Sequence, residues 1–307
     1  MPVLAFQVTA PVVVGLANGS AFGLVAIGLV LIYKSSRVFN FAAGEFVTLG
    51  AFAVYVSTHV AHLPYPAAMV IGVLVGVVAG VVTERLVVRP LSDRPKVTVL
   101  VATAAVAIIL IPAELIVGGA KVYQAKVAFR QGVTVAGAHV VSTVGPKILG
   151  VYVSPQELLI FAVLALAGVG LALFFARTDL GLATLAASQE PVASRLVGIR
   201  LNRIALLTWG GAGLLGGLAG VLLPPVASSF AAGYGTTNVL IPAFTGAVLG
   251  GMTSVPGAFV GALLVGVIEA LAQFNLTKVP GANAVAILVV LVAVLVVRPA
   301  GLLGKEA

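Results

Sequence analysis

The sequence predicts an all-α polytopic membrane protein, a bundle of about eight or nine membrane segments. Hydrophobic residues make up 61% of the 307 residues and charged residues only 8%, and the mean hydropathy is +1.20. The apolar residues also fall in runs close to the length of about 20 residues that a helix needs to cross the hydrocarbon core. Because soluble domains do not reach this composition, the chain needs lipid as its solvent.

Nine apolar runs define the predicted segments. The seventh is short, contains Pro242 and ends in a Gly-Gly pair, so residues 237–252 are typical of a short or broken helix. Irregular backbone at membrane depth is stable only where protein buries it or water lines it. The nine runs cover residues 8–32, 38–58, 65–83, 97–117, 157–176, 204–223, 237–252, 256–274 and 283–298.

Two longer polar stretches separate these runs within residues 1–307, which form a single transmembrane domain. Residues 118–155 alternate in the manner of a β-hairpin, as in VTVAGAHVV. Residues 177–203 are the longest polar, basic interruption in the second half of the chain. Placing Lys34 inside puts twelve of the seventeen basic residues inside. Basic residues accumulate on the cytoplasmic side, so we predict an outside N-terminus, a cytoplasmic C-terminus, an extracytoplasmic loop at 118–155 and a cytoplasmic loop at 177–203.

Charge and cysteine content exclude several kinds of site. The net charge is +8, but the basic residues lie in short loops between apolar runs, which indicates membrane topology and not nucleic-acid binding. The chain has no cysteine, so disulfides, thiolate metal sites and cysteine nucleophiles are excluded. The lipid bilayer is therefore the predicted partner, and nucleic acid is not.

Glycines recur at fourfold spacing in the apolar runs, as at Gly15, Gly19 and Gly23, and at Gly213 and Gly217. Lipid provides no hydrophobic drive between helices, so small residues that permit close backbone approach favour their association. We expect these glycines to lie at tight helix contacts.

Polar residues in the second run are the first candidates for a translocation path. Asn40, Gly44 and Thr48 share one face if residues 38–58 are helical, and Glu45 lies beside that face. A carboxylate in an apolar run requires a hydrated cavity or a polar partner. The alternative is that Glu45 ties helix ends together near Lys34.

Two further polar residues, Asn18 and Glu269, leave the same alternatives open. Asn18 in the first run lines a path or forms hydrogen bonds across helices. Glu269 lies on a stripe with small residues near the outer end of its helix, where it borders a path or bonds to a neighbouring helix. Glu114, near the outer end of the fourth run, is expected at the membrane interface.

The loop at 177–203 contains signals for a short amphipathic helix. Pro191 suits a first helical turn, and Glu190 lies beside the positive helix N-terminus. Arg195 would lie in the last turns, and the helix would run toward Gly198. The alternative is an ordinary positive-inside loop.

Four stretches carry a family resemblance that covers nearly the whole chain. They are GLANGSAFGLVAIGLVLIYKSSRVFNFAAGEFVTLGAF (15–52), ERLVVRPL (84–91), AVLGGMTSVPGAFVGALLVGVIEAL (247–271) and RPAGLLG (298–304). In this order they resemble the N-terminal signature, the first large cytoplasmic loop, the penultimate helical region and the C-terminal end of the LivH-type permeases of branched-chain amino acid ABC importers. The order and spacing of the four carry the resemblance.

The resemblance implies a permease subunit of the bacterial inner membrane, with a coupling helix that docks into an ATPase. It assigns this helix to residues 186–200, where the sequence reads AASQEP and not a strict Glu-Ala-Ala. The implied partners are a homologous second permease (LivM-like) or an identical copy, two ATP-binding subunits and an extracytoplasmic solute-binding protein. The coupling residues implied are Ala186, Ala187, Glu190, Pro191, Arg195, Gly198 and Arg200.

By the same resemblance, ATP and Mg²⁺ belong to the partner subunits, so this chain is expected to be a transporter subunit that binds no cofactor and is not itself an enzyme. The chain has no GxxxxGK[ST] phosphate loop, in keeping with an ATPase site elsewhere. Two alternatives remain open. Buried carboxylates and broken helices also occur in ion-coupled secondary transporters, and similar permeases serve urea, amides and other small solutes.

Overall fold

The computed structural model describes residues 8–125, 131–135, 138–142, 147–148, 151–152, 155–298 and 301–303. In these residues the chain is mainly helical. The α-helices are α1 (Thr9–Ser36), α2 (Ala43–His59), α3 (Tyr65–Thr83), α4 (Lys96–Gly118), α5 (Pro155–Arg177), α6 (Asp179–Gln189), α7 (Pro191–Leu196), α8 (Leu201–Ala227), α9 (Ile241–Gly250), α10 (Val255–Asn275) and α11 (Ala282–Val297).

Six helices are long and apolar enough to cross a membrane. They are α1, α3 with its continuation to Leu91, α4, α5, α8 and α10, and shorter apolar helices cover Thr236–Gly250 and Ala282–Val297. Helices α1 and α8 are mostly buried against other helices, whereas α4 and α5 bury little of their surface. The prediction of an all-α polytopic membrane protein is therefore confirmed, with α1 and α8 at the centre of the bundle.

Glycines allow the central helices to approach at backbone distance, as predicted. A Cβ atom added to Gly19 of α1 would lie 2.8 Å from the Ala262 carbonyl oxygen and 2.9 Å from the Leu263 Cα of α10. A Cβ atom added to Gly76 of α3 would lie 2.7 Å from the Gly217 Cα of α8. Real Cβ atoms do not come this close to backbone, so larger residues here would force the helices apart.

Local signals set the helix ends. The Thr178 side chain accepts a hydrogen bond from the Gly181 N–H at 3.0 Å and begins α6. The Ser254 side chain accepts one from the Gly257 N–H at 3.1 Å and begins α10, with Pro256 in the first turn. An unpaired N–H at a helix start is satisfied in this way by a hydroxyl oxygen.

The ERLVVRPL stretch ends α3 with a change of helix type. A π-helical turn covers Glu84–Val88 and a 3-10 turn covers Arg89–Leu91. The Arg89 Nε and Nη2 atoms donate to the two carboxylate oxygens of Glu84, each at 3.0 Å. Glu84 is buried, and its bidentate pair with Arg89 balances its charge there.

Six short strands pair antiparallel. Strand β1 (Tyr123–Gln124) pairs with β6 (Ser229–Phe230), β2 (Gln131–Val135) with β3 (Ala138–Ser142), and β4 (Lys147–Ile148) with β5 (Val151–Tyr152). The first pair joins the residues after α4 to those after α8, where the rings of Phe52, Tyr55, Tyr123 and Phe230 pack together. The β2–β3 pair is the hairpin predicted from VTVAGAHVV. Residues 126–130, 136–137, 143–146, 149–150 and 153–154 of the predicted loop at 118–155 lie outside the described part of the chain.

Candidate translocation path and docking surface

An irregular segment lies inside the bundle between α8 and α9. Ser228 and Gly233 adopt positive φ angles of 63° and 71°, and a π-helical turn over Thr236–Leu240 leads into α9. A Cβ atom added to Gly44 would lie 2.6 Å from the Thr236 Cα, and one added to Gly233 would lie 3.5 Å from the Ile111 side chain. The segment therefore lies alongside α2 and α4 inside the bundle, and it leads into the short helix that the sequence predicted.

Side chains from α2 and α4 satisfy the backbone of this segment. Thr48 Oγ1 accepts a hydrogen bond from the Gly235 N–H at 2.9 Å. Glu114 Oε2 accepts one from the Gly233 N–H at 2.9 Å. Both side chains are buried. Unpaired N–H groups are costly in a membrane, so these two bonds explain how the irregular backbone is tolerated there.

Glu45 faces Glu114 inside this cluster. Its side chain is fully buried, and the two carboxyl groups lie near enough for their charges to interact. Neither Glu45 oxygen accepts a hydrogen bond from the described residues. Carboxylates accept hydrogen bonds and do not donate them, so only a proton shared between the two groups would join them.

One sequence-based interpretation of these acids is wrong. Glu45 does not tie helix ends to Lys34 or Arg37, because the described part of the chain contains no ion pair between them. Glu114 is only 6% exposed, because α2 and the segment after α8 cover it, and its location at the membrane interface stays a prediction.

Asn40 does not share a helical face with Gly44 and Thr48, because α2 begins at Ala43 and not at residue 38. Its Oδ1 atom accepts a hydrogen bond from the Ala42 N–H at 3.0 Å within the turn before the helix. Gly44 lies at a tight contact with Thr236. These residues are near one another, but their arrangement comes from a turn and not from a helical stripe.

The remaining path candidates lie elsewhere. Glu269 Oε1 accepts a long hydrogen bond, 3.4 Å, from Asn283 Nδ2 of α11, as its interhelical interpretation expects. Asn18 is half-buried on α1. Neither residue belongs to the Glu45 and Glu114 cluster by a hydrogen bond within the described ranges.

The π-helical turn carries an exposed polar surface that was not among the predicted path residues. Thr237 and Asn238 are exposed beside Ile241, which is 54% exposed. Polar side chains at membrane depth are expected to face water or protein and not lipid. The position of Thr237 and Asn238 at the start of the predicted broken helix was the sequence signal that could have identified them.

The polar loop after α5 folds as two helices, α6 and α7, with a break at Glu190. The short helix predicted from Pro191 toward Gly198 is confirmed as α7, with Arg195 in its last turn. The single helix that the resemblance assigned to residues 186–200 is wrong, because Ala186 and Ala187 lie near the end of α6 and Pro191 begins α7. Gly198 follows α7 with φ of 86°. Glu190 directly precedes Pro191, and the residue before a proline avoids the helical region. The helix therefore breaks at Glu190.

The tip of this unit is apolar and exposed. Leu196 is 84% exposed and Val197 is 76% exposed, between the exposed Arg195 and Arg200. We call residues 195–200 the docking tip. In contrast, Ala187 is buried, and α6 packs against α1, α5 and α8. The unit therefore joins an exposed apolar tip to the centre of the bundle.

Metal chemistry has no support in the described residues, which contain no group of three His, Asp or Glu side chains placed to hold an ion.

The chain matches the family model for the branched-chain amino acid transport system permease component over residues 12–297. It is 32% identical to the high-affinity branched-chain amino acid transport system permease protein BraD of Pseudomonas aeruginosa, over 95% of this chain and 94% of that protein. It is 28% identical to the LivH permease of Escherichia coli over the same shares. It is 27% identical to a probable LivH permease of Methanocaldococcus jannaschii, over 92% and 88%. No solved structure matches the chain.

Proposed function

The chain belongs to the branched-chain amino acid transport permease family, and from this premise we propose that it is the membrane permease subunit of an ATP-driven importer for branched-chain amino acids. In the proposed orientation, the N-terminus is outside, the C-terminus is cytoplasmic, and α1 to α5 and α8 to α11 form nine membrane segments of which α9 is short. The docking tip then lies in the cytoplasm of a bacterial cell.

The docking tip is the observation that supports an ATP-driven mechanism. Exposed apolar residues outside the membrane mark interaction sites, and Leu196 and Val197 are among the most exposed apolar residues of the described chain. Contacts of α6 with α1 and α8 give a mechanical route from the tip to the bundle. Movement of the ATPases would thereby tilt the central helices and alternate access to the path.

The translocation path is proposed along the exposed surface of the π-helical turn. Thr237 and Asn238 supply neutral polar groups, and the neighbouring Ile241 supplies an apolar one. A zwitterion with an aliphatic side chain is compatible with such a surface at a broken helix. Glu45 and Thr48 support the path from within, because they lie behind the segment that carries it.

A second permease, homologous or identical, would cover this surface. Polar residues facing outward from a single chain at membrane depth need a protein partner or a water-filled cavity between two chains. Two ATPase subunits that carry ATP and Mg²⁺, and an extracytoplasmic binding protein, complete the proposed importer.

The decisive experiment is purification of the tagged chain from its native membrane, followed by identification of its partners and by transport in proteoliposomes. We expect co-purification of ATPases and a second permease, and ATP-dependent uptake of leucine, isoleucine or valine when the binding protein is added. Uptake of urea or amides in place of these amino acids would refute the proposed substrate but not the proposed importer function.

An ion-coupled secondary transporter is the second candidate, and the buried Glu45 and Glu114 pair favours it. It predicts uptake by the chain alone, lost on addition of an uncoupler and independent of ATP. Charge reversal at both Arg195 and Arg200 separates the two functions further: it should impair ATPase binding in the importer and leave a secondary transporter unaffected.

A further inference from the structure

A large apolar cavity opens beside α1, away from the proposed path. Its volume is about 850 Å³. Helices α1, α5, α6 and α10 form its walls, and most of the lining is aliphatic or aromatic, including Ile27, Val169, Phe175 and Phe259. None of its lining residues belongs to the Glu45 cluster or to the π-helical turn. It is therefore a separate feature of the bundle.

Positive charge is concentrated at one part of the cavity wall. Lys34 and Arg37 both line it, and the Lys34 ammonium lies 5.2 Å from the centre of the Phe175 ring. No Asp or Glu lines the cavity, and neither cation forms an ion pair within the described residues. The N-terminus of α10 also lies at the wall, through Ser254 and Val255, and adds partial positive charge.

The cavity is also open toward the lipid side of the bundle. Val169 of α5 is 57% exposed and Val260 of α10 is 42% exposed, and both line it. Helix α5 buries little of its surface. A cavity with these walls is accessible to an acyl chain that moves in from the bilayer.

We propose that this cavity binds an anionic phospholipid, with its phosphate at Lys34 and Arg37 and an acyl chain along the aliphatic wall. Lys34 and Arg37 contact aromatic rings but form no ion pair within the described residues, so they favour an anion. The long apolar wall favours a hydrocarbon chain, so a free phosphate would satisfy only half of the site. Basic pockets between membrane helices on the cytoplasmic side bind anionic head groups in this manner. Leu185 and Gln189 of α6 also line the cavity, so the lipid would contact the unit that carries the docking tip.

The test is lipid titration of the purified complex by native mass spectrometry, with phosphatidylglycerol and phosphatidylcholine of the same acyl chains. We expect saturable binding of phosphatidylglycerol and clearly weaker binding of phosphatidylcholine. The K34Q/R37Q variant should lose about fivefold in phosphatidylglycerol affinity for each charge, or roughly 25-fold in total. Arg94→Gln is the matched control, because Arg94 is an exposed cation that does not line the cavity. The affinity of this variant for phosphatidylglycerol should equal that of the unaltered chain.

A second variant tests the apolar part without altering charge. Ala172 lines the cavity and is exposed, so Ala172→Phe would fill the space of the acyl chain without disturbing the core. Ala162→Phe on the same helix is its control, since Ala162 is exposed but does not line the cavity. Loss of bound phosphatidylglycerol in A172F but not in A162F supports the proposal.

Equal binding of the two lipids, or unchanged phosphatidylglycerol binding in both K34Q/R37Q and A172F, would overturn it. Loss of leucine binding in K34Q/R37Q with lipid binding intact would assign the cavity to the solute instead, and would also contradict the proposal. Because lipid binding is measured without transport, these results are independent of the proposed importer function.

Discussion

Truncation of Leu196 to alanine tests the docking tip directly. The change removes about three carbon groups, each worth about 0.8 kcal/mol when fully buried. Because 84% of Leu196 is exposed in this chain, nearly all of that gain is available when a partner covers it, or about 2 kcal/mol. The expected result is a loss of about 30-fold in ATPase affinity. Adding Val197→Ala removes about 1.2 kcal/mol more and brings the loss to roughly 200-fold.

The assay is equilibrium binding of the purified ATPase to the permease in lipid nanodiscs, followed by ATP-dependent uptake. Leu166→Ala is the matched control, because Leu166 is 72% exposed but lies on α5 within the membrane span. The control should bind the ATPase within about twofold of the unaltered chain. A loss of ATPase affinity below about threefold for Leu196→Ala would refute the docking tip, since truncation of a leucine that the ATPase covers should cost about 2 kcal/mol of binding free energy.

Three further predictions concern the bundle and the path. Gly19→Leu should lower the thermal unfolding midpoint and cost more unfolding free energy than the roughly 1 to 3 kcal/mol typical of overpacking, because its Cβ would meet the backbone of α10. Gly170→Leu should leave the midpoint unchanged, because nothing lies within 4 Å of the added Cβ. Glu114→Ala should cost about 1 to 3 kcal/mol in unfolding free energy by leaving the segment's N–H unpaired, whereas Glu114→Gln keeps an acceptor and should be near neutral; equal loss in both would contradict this account. Replacing Thr237 with Val and Asn238 with Ala should reduce uptake at least tenfold with ATPase binding unchanged, and normal uptake would exclude these residues from the path.

Local signals predicted much of the helical framework. Apolar length indicated the six helices of the described chain that are long and apolar enough to cross a membrane, and the two shorter apolar helices. The proline-containing run at 237–252 is a π turn followed by a ten-residue helix, as a broken helix requires. Glycine spacing correctly identified Gly19 as a contact, because fourfold spacing places small residues on one helix face.

The residues at which helices begin and break were harder to predict from the sequence. The run from residue 38 reads as continuous helix, yet α2 begins at Ala43, because the buried Asn40 side chain bonds to the Ala42 N–H and holds a turn. Polar side chains that compete for backbone groups favour turns in this way, but apolar length does not reveal it. The break at Glu190 likewise divides residues 186–200, which the resemblance assigned to one helix, between α6 and α7.

The sequence by itself determined that this chain is a polytopic membrane protein, where small residues join the helices, and which family it resembles, because these properties depend on composition and local spacing. Only the tertiary structure decided that Glu45 faces Glu114, that Gly233 and Gly235 donate to α4 and α2, and that Lys34 and Arg37 line an apolar cavity. These contacts join residues distant in the chain. Their partners depend on how the helices pack, and no local pattern encodes that packing.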